Sequence, residues 1–300
     1  MRVVSVLPSA TEIVCALGHG AELVGRSAEC DYPAAVHALP VVMRARTHDA
    51  DQPSRAIDAR VRRARGSGQS LYELDLELLR ALDPDLILTQ DLCGVCSVTD
   101  AEVAAACAKA DVAPRIVSLT PRSLEGVWES VETVGRAVDD SDAGRSFARQ
   151  LRARARAANG SGPAPRIAVV EWLDPPILAG LWTPDIVRAA GGVSPGVRSG
   201  HPGVRTDWEH LAESQWDLAV LSPCSFTVDR TRRELANPRL RSEVDRVRPS
   251  LGTFVADEAY FSRPGPRLAD GIDLLRHLIG RTRWDAPMPF VPLRADGATA

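Results

Sequence analysis

Two periods of apolar and polar residues alternate along this chain. Short β-branched runs at "RVVSVL" (2–7), "PVVM" (40–43), "DLIL" (85–88) and "RIVSLTP" (115–121) are too brief for helices and suit pleated strands. Between them, "ATEIVCALG" predicts a helix ended by Gly18, and a basic helical stretch around 54–65 runs into the break "GSGQS". "ELDLELLRAL" predicts a helix with Leu74, Leu78 and Leu82 on one face. Strands alternating with helices predict βαβ units and a mostly parallel sheet.

From about 123 to 158, Val127, Val131, Val134 and Val138 form one apolar stripe and predict a single long helix, with "DDSDAG" its only interruption. "ANGSGPAPR" ends that helix, and the strand pattern restarts at "RIAVVEW" (166–172). "ELLRALDPDLILTQDLC" (77–93) and "EHLAESQWDLAVLSPC" (209–224) share one plan: helix, polar turn, Asp, four-residue strand, Cys-bearing loop. The expected fold class is therefore α/β, with two similar lobes of mostly parallel sheet bridged by one long rigid α-helix. The boundaries expected are 1–122 for the first lobe, 123–160 for the bridging helix, 161–285 for the second lobe and 286–300 for a tail.

Composition removes several functions. With 36 basic against 39 acidic residues the net charge is −3, so no electrostatic footprint favours nucleic acid or an anionic membrane. No run approaches the ~20 apolar residues of a membrane span, so membrane insertion is not expected. "MRVVSVLPSATEIV" has no basic leader or cleavage pattern, which places the chain in the cytoplasm. A mis-assigned start would move it outside. In a reducing compartment the six Cys are expected free, metal-bound or catalytic.

In open parallel sheets, ligands bind beyond the carboxyl ends of the strands, so the loops at those ends are the candidate site. They hold Tyr32, Trp172, Trp182, Phe226, Tyr260 and Phe261, although aromatics make up only 5% of the chain. That crowding points to a surface for a large ligand. In "YFSRPGPR", Pro264 and Pro266 stiffen the backbone around Arg263, which could grip an acceptor group or join a structural salt bridge. "PSATEIV" is a helix start with Ser9 or Thr11 as cap and Glu12 in the first turn. "QDLCGVCS" carries Cys93 and Cys96 beside Asp91 and Leu92. One CxxC pair is half a structural zinc site, and a metal centre is not expected. No GxSxG, P-loop, GxGxxG or HExxH motif is present, so no catalytic residue is assigned and an enzyme is not expected.

In this order, "SVLPSATE", "GRSAECDYP", "LRALDPDLIL", the long helical segment and "RPGPR" resemble the class III substrate-binding proteins of ABC importers. Within them the chain is most similar to cobalamin-binding proteins of the BtuF type, and to a subgroup that often lacks an export signal. The resemblance implies that a cobalamin or related corrinoid lies between two lobes, with an ABC permease as partner and the protein a monomer. It implies that Tyr32 in "DYP", Trp172 and Arg263 are pocket residues; Ser9, Thr11, Asp91, Leu92, Cys93, Cys96, Trp182, Tyr260 and Phe261, in the strand-end segments, are expected to line the same site. Glu77 and Glu209 stand loosely where importers dock their permease. "QDLCGVC" replaces the Trp that importers carry after "PDLIL", which makes the Cys pair the subgroup's own feature. A corrinoid- or metal-handling enzyme or chaperone using Cys93 and Cys96, or a binder of haem or a siderophore, remains the alternative.

Overall fold

The first β-branched run becomes β1 (Val3–Ser5), and Pro8 at the first helical position opens α1 (Pro8–Ala16). The computed structural model that shows this describes residues 1–46, 52–67, 70–91, 98–156, 163–280 and 290–293. The chain forms two units. One comprises Met1–Gln52, Ile57–Pro121 and Glu125–Leu151, and the other Pro53–Ala56, Arg122–Leu124 and Arg152–Ala300.

After α1 the first half continues through β2 (Leu23–Ser27), β3 (Val41–Ala45), α2 (Ser54–Ser67), β4 (Tyr72–Leu74) and α3 (Leu76–Leu82). It closes with β5 (Leu86–Thr89), α4 (Asp100–Ala110) and β6 (Arg115–Ser118). The sheet order is β4-β3-β2-β1-β5-β6, parallel except for β3 against β4. Strand order therefore reverses at β1, and the loops after β1 and β5 leave the same edge of the sheet in opposite senses, which is where open α/β sheets take ligands. One expectation fails here. Leu74 is not on a helix face but ends β4, because Asp75 accepts the Leu78 N–H at 2.9 Å and starts α3 after it.

The long helix expected over 123–158 is two helices, α5 (Leu124–Ala137) and α6 (Ser141–Arg154). Asp139 takes a left-handed φ of 58°, and the N–H groups of Asp140 and Asp139 donate to Gly135 O (2.8 Å) and Arg136 O (3.4 Å). That pair of bonds is a Schellman helix end. Asp140 then caps α6 through Ala143 N–H at 3.0 Å. The turn is sharp: a Cβ on Gly135 would lie 2.7 Å from the Gly144 Cα, whereas nine residues of unbroken helix would separate the two by ~13 Å. The polar "DDSDAG" stretch is thus a complete break.

His19, just beyond α1, reaches this break. Its Nδ1 meets Glu22 at 2.7 Å and its Nε2 meets Asp140 at 3.2 Å. The hydrogen bonds to Glu22 and then Asp140 hold the imidazole pKa above its ordinary value. A group whose folded pKa is raised contributes stability that is fully present below the unfolded value of about 6.5 and is lost as pH rises through the raised value. His19→Gln should therefore melt below the natural protein at acidic pH, with the gap narrowing as pH rises above about 6.5 and through the raised value. Melting curves of both proteins across that range test this, and a gap of constant size would refute it.

The second half forms β7 (Ile167–Leu173), β8 (Pro176–Leu178), α7 (Thr183–Ala190), β9 (Val204–Arg205), α8 (Trp208–Glu213) and β10 (Leu218–Leu221). It ends with α9 (Val228–Leu235), α10 (Pro238–Val244), β11 (Thr253–Ala256), α11 (Leu268–Leu278) and β12 (Phe290–Pro292). The order is β12-β11-β10-β7-β8-β9, with only β7, β10 and β11 mutually parallel. The mostly parallel expectation thus suits the first sheet, while the second is mixed, because Asp174 and Pro175 turn β7 straight back into β8. Residues 290–292, expected in a tail, form an edge strand of this sheet.

The repeated plan goes down to single bonds. Arg2 N–H donates to Asp85 (2.7 Å) and its Nε to Leu82 O (2.7 Å). Arg166 N–H donates to Asp217 (2.8 Å) and its Nε to Gln215 O (2.6 Å). In each half the Asp before the buried strand anchors the start of the first strand beside it. Behind the sheets lie separate apolar cores, Val4, Ile87, Leu79 and Val103 in the first and Val170, Leu221, Trp208 and Leu211 in the second. Among the described residues, no helix is long and apolar enough to cross a membrane.

Candidate functional site

In the second unit, β10 ends opposite Val170, so Glu171, Trp172 and Leu173 extend past it with only β8 alongside. Trp172 is therefore the penultimate residue of a strand, not part of a loop, at the carboxyl edge where ligands are expected. Its ring lies 5.5 Å from that of Phe226 at 54°, and the Arg230 guanidinium sits 4.3 Å over the other aromatic's centroid. Arg230 in turn meets Glu234 at 3.3 Å, one helical turn along α9. Glu234 accepts the N–H (2.9 Å) and hydroxyl (2.7 Å) of Ser54. Sequence reading missed Arg230 and Glu234, although their four-residue spacing in "VDRTRREL" was a visible signal.

The loops around this ledge are laced together. Cys224 N–H donates to Glu171 O (3.0 Å), Ser222 Oγ to Asp257 O (3.1 Å), and Ser262 Oγ to Ser222 O (3.2 Å). Asp257 caps the short helical turn Glu258–Tyr260. Gly271 on α11 lets that turn approach, since a Cβ there would lie 2.0 Å from Tyr260 O.

The indole N–H groups separate structural from available tryptophans. Trp182 donates to Phe261 O (2.7 Å), Trp208 to Leu173 O (3.0 Å) and Trp216 to Leu211 O (3.1 Å). Trp172 Nε1 is buried and meets no acceptor among the described residues. A buried donor left without a partner costs about 1–3 kcal/mol, so it calls for an explanation.

Several expected ligand contacts are corrected by burial. Trp182 and Phe261 are 5% and 1% exposed and bonded to each other, so they are core residues that fix α7 against the 257–267 loop. Arg263 is 8% exposed and forms a buried ion pair with Glu258, so the stiff arch turns it inward. Tyr260 is half-buried beside it.

In the first unit, Tyr32 follows β2 and is 51% exposed. Asp91 follows β5 and is exposed, whereas Leu92, Cys93 and Cys96 lie outside the described residues. Neither Ser9 nor Thr11 caps α1: the cap position is Leu7, which offers no side-chain bond. Thr11 is fully buried, with its hydroxyl 2.8 Å from Ser5 Oγ and 3.0 Å from Cys30 Sγ, so it serves the fold. Ser9 is 1% exposed, and its hydroxyl has no partner among the described residues. Cys15 and Cys107 have thiols held above their ordinary pKa by burial, which keeps them protonated. No group of three metal-binding side chains occurs among the described residues.

A family model described as "Periplasmic binding protein" matches residues 3–242. No curated protein sequence matches the chain. Among solved structures, a periplasmic haem-binding protein from Pseudomonas aeruginosa aligns at TM-score 0.69 and 21% identity, over 98% of this chain and 95% of that one. The periplasmic vitamin B12-binding protein BtuF of Vibrio cholerae aligns at 0.60 and 19%, over 93% and 96%. An ABC-type Fe3+-hydroxamate transport protein from Saccharomonospora viridis aligns at 0.62 and 16%, over 93% and 93%. Identities this low establish likeness of fold.

The cytoplasmic expectation is overturned. It rested on the first residues alone, whereas the matched family and the haem- and B12-binding structures are periplasmic. Place of action belongs with the family, outside the cytoplasm. The chain is a member of the periplasmic binding protein family, a solute-binding protein of the ABC-transporter type.

Proposed function

We propose that this protein binds cobalamin or a related corrinoid and delivers it to an ABC permease without chemical change. The observation that carries this reading is the Trp172 indole, whose buried N–H meets no acceptor among the described residues, in a ledge built from Phe226 and Arg230. A corrinoid is a large conjugated macrocycle edged with carboxamides. Its face suits aromatic contact, and a peripheral carbonyl would satisfy the orphaned donor. Tyr32 is exposed at the carboxyl edge of the first sheet, where the same rule places a ligand surface on that unit.

Haem is the second reading. It is favoured by the exposed Tyr32 phenol, a group that can hold haem iron, and by the haem-binding relative of the same fold. Titration of the purified protein separately with cyanocobalamin, haemin and a ferric hydroxamate distinguishes the readings. Saturable tryptophan quenching with a shifted corrinoid spectrum is expected for cobalamin alone. A Soret band shift with haemin and none with cobalamin would replace the corrinoid reading by the haem one.

A further inference from the structure

Arg26 is the fourth residue of β2, and it is buried to 9% exposure without an ion pair among the described residues. A desolvated guanidinium normally sits against a carboxylate. Here its Nη1 instead donates to the carbonyls of Ser27 (3.0 Å), Cys30 (3.1 Å) and Ala28 (3.4 Å), and its Nη2 donates to His37 O (3.3 Å). Ser27 ends β2, and the other three acceptors belong to the connection between β2 and β3, which carries Tyr32. Such a segment has carbonyls with no ladder partner, and a planar fork of five donors can gather several of them where a Lys ammonium could not.

Other bonds fix the near end of the segment. Ala28 N–H donates to Met43 O (2.8 Å), Cys30 N–H to Ser27 O (3.1 Å), and Glu29 N–H to Ser27 Oγ (3.2 Å). Cys30 is held twice, through its carbonyl by Arg26 and through its thiol beside Thr11. Two residues later the chain emerges at Tyr32. Arg26 reaches past it to His37, so it binds the segment on both sides of the exposed phenol.

We propose that Arg26 is a positioning residue: it pre-organises the Tyr32 segment for the ligand and does not touch the ligand itself. The proposal rests on the tetrapyrrole-class reading above for its functional half, while its structural half stands alone. Pre-organisation lowers the ordering cost of binding, so losing it weakens affinity through the segment it holds.

The experiment uses the full chain and Arg26→Lys, which keeps the charge but not the fork. Hydrogen–deuterium exchange without ligand should quicken about tenfold at residues 28–39 and little elsewhere. Binding of cyanocobalamin or haemin, whichever the natural protein takes up, should weaken about tenfold. In the Tyr32→Ala background Arg26→Lys should cost little more, since both changes act on one contact. Unchanged exchange at 28–39 would overturn the proposal. So would faster exchange throughout the first sheet with a large fall in melting temperature, which would make Arg26 a general fold residue. Full additivity with Tyr32→Ala would also overturn it. If the natural protein takes up neither ligand, the binding reading fails while the exchange result still decides whether Arg26 holds the segment.

Discussion

Replacing Glu234 with Ala is expected to remove about 3–5 kcal/mol of stability from the second unit. Glu234 is 8% exposed, pairs with Arg230, and accepts two hydrogen bonds from Ser54. Truncation removes the carboxylate that Arg230 and both Ser54 donors share, and breaking a buried ion pair by deleting one partner is costly. Urea unfolding, followed by tryptophan fluorescence and by circular dichroism, would measure the loss. Ser54→Ala should cost only about 1 kcal/mol, because its backbone N–H still reaches Glu234. Replacing Arg230 and Glu234 together by Met and Leu should recover most of the stability, since apolar packing can substitute for a buried ion pair. If Glu234→Ala melts like the natural protein, the pair is not buried as described.

Trp172→Ala should weaken ligand binding by roughly 1–3 kcal/mol, or about five- to 150-fold, the scale of one central aromatic contact. Its ring also packs on Phe226, so part of the loss would come through that neighbour and the Arg230 above it. Trp172→Phe separates the two contributions. It keeps the aromatic face and deletes the indole N–H, so it should lose only the hydrogen-bond share, about 0.5–1.5 kcal/mol. Because Trp172 Nε1 has no partner among the described residues, neither variant breaks an internal bond there, and the unliganded protein should stay folded. Undiminished affinity of Trp172→Ala in a folded protein would exclude Trp172 from the site and remove the main support for the proposed function.

The two predictions differ in what the side chains face. Glu234 satisfies its own protein, whereas Trp172 has a group left over. The same distinction sorts the other candidates. Arg263 and Trp182 looked like ligand contacts because they sit among aromatics near strand ends, yet each has found an internal partner. Tyr32 has not been buried, and the segment that carries it is held by Arg26, which makes no ion pair among the described residues.

The order of strands and helices was legible in the linear chain because hydrophobic periodicity is a local property. The duplicated plan was legible too: Asp85 and Asp217, one residue ahead of apolar runs, perform the same anchoring in each half. What escaped were features without a period. Leu74 shares helical spacing with Leu78, but pairing with Met43 across the sheet made it a strand residue. A polar stretch in the valine-striped segment could have been a ripple or a break, and a left-handed Asp139 with a glycine contact made it a break. Which aromatics face outward depends on contacts between residues far apart in the chain, such as Trp182 with Phe261. Spacing along a chain reports near neighbours, while burial is settled by distant ones, so sequence alone determined the lobes and tertiary structure alone chose the side chains left to meet a ligand.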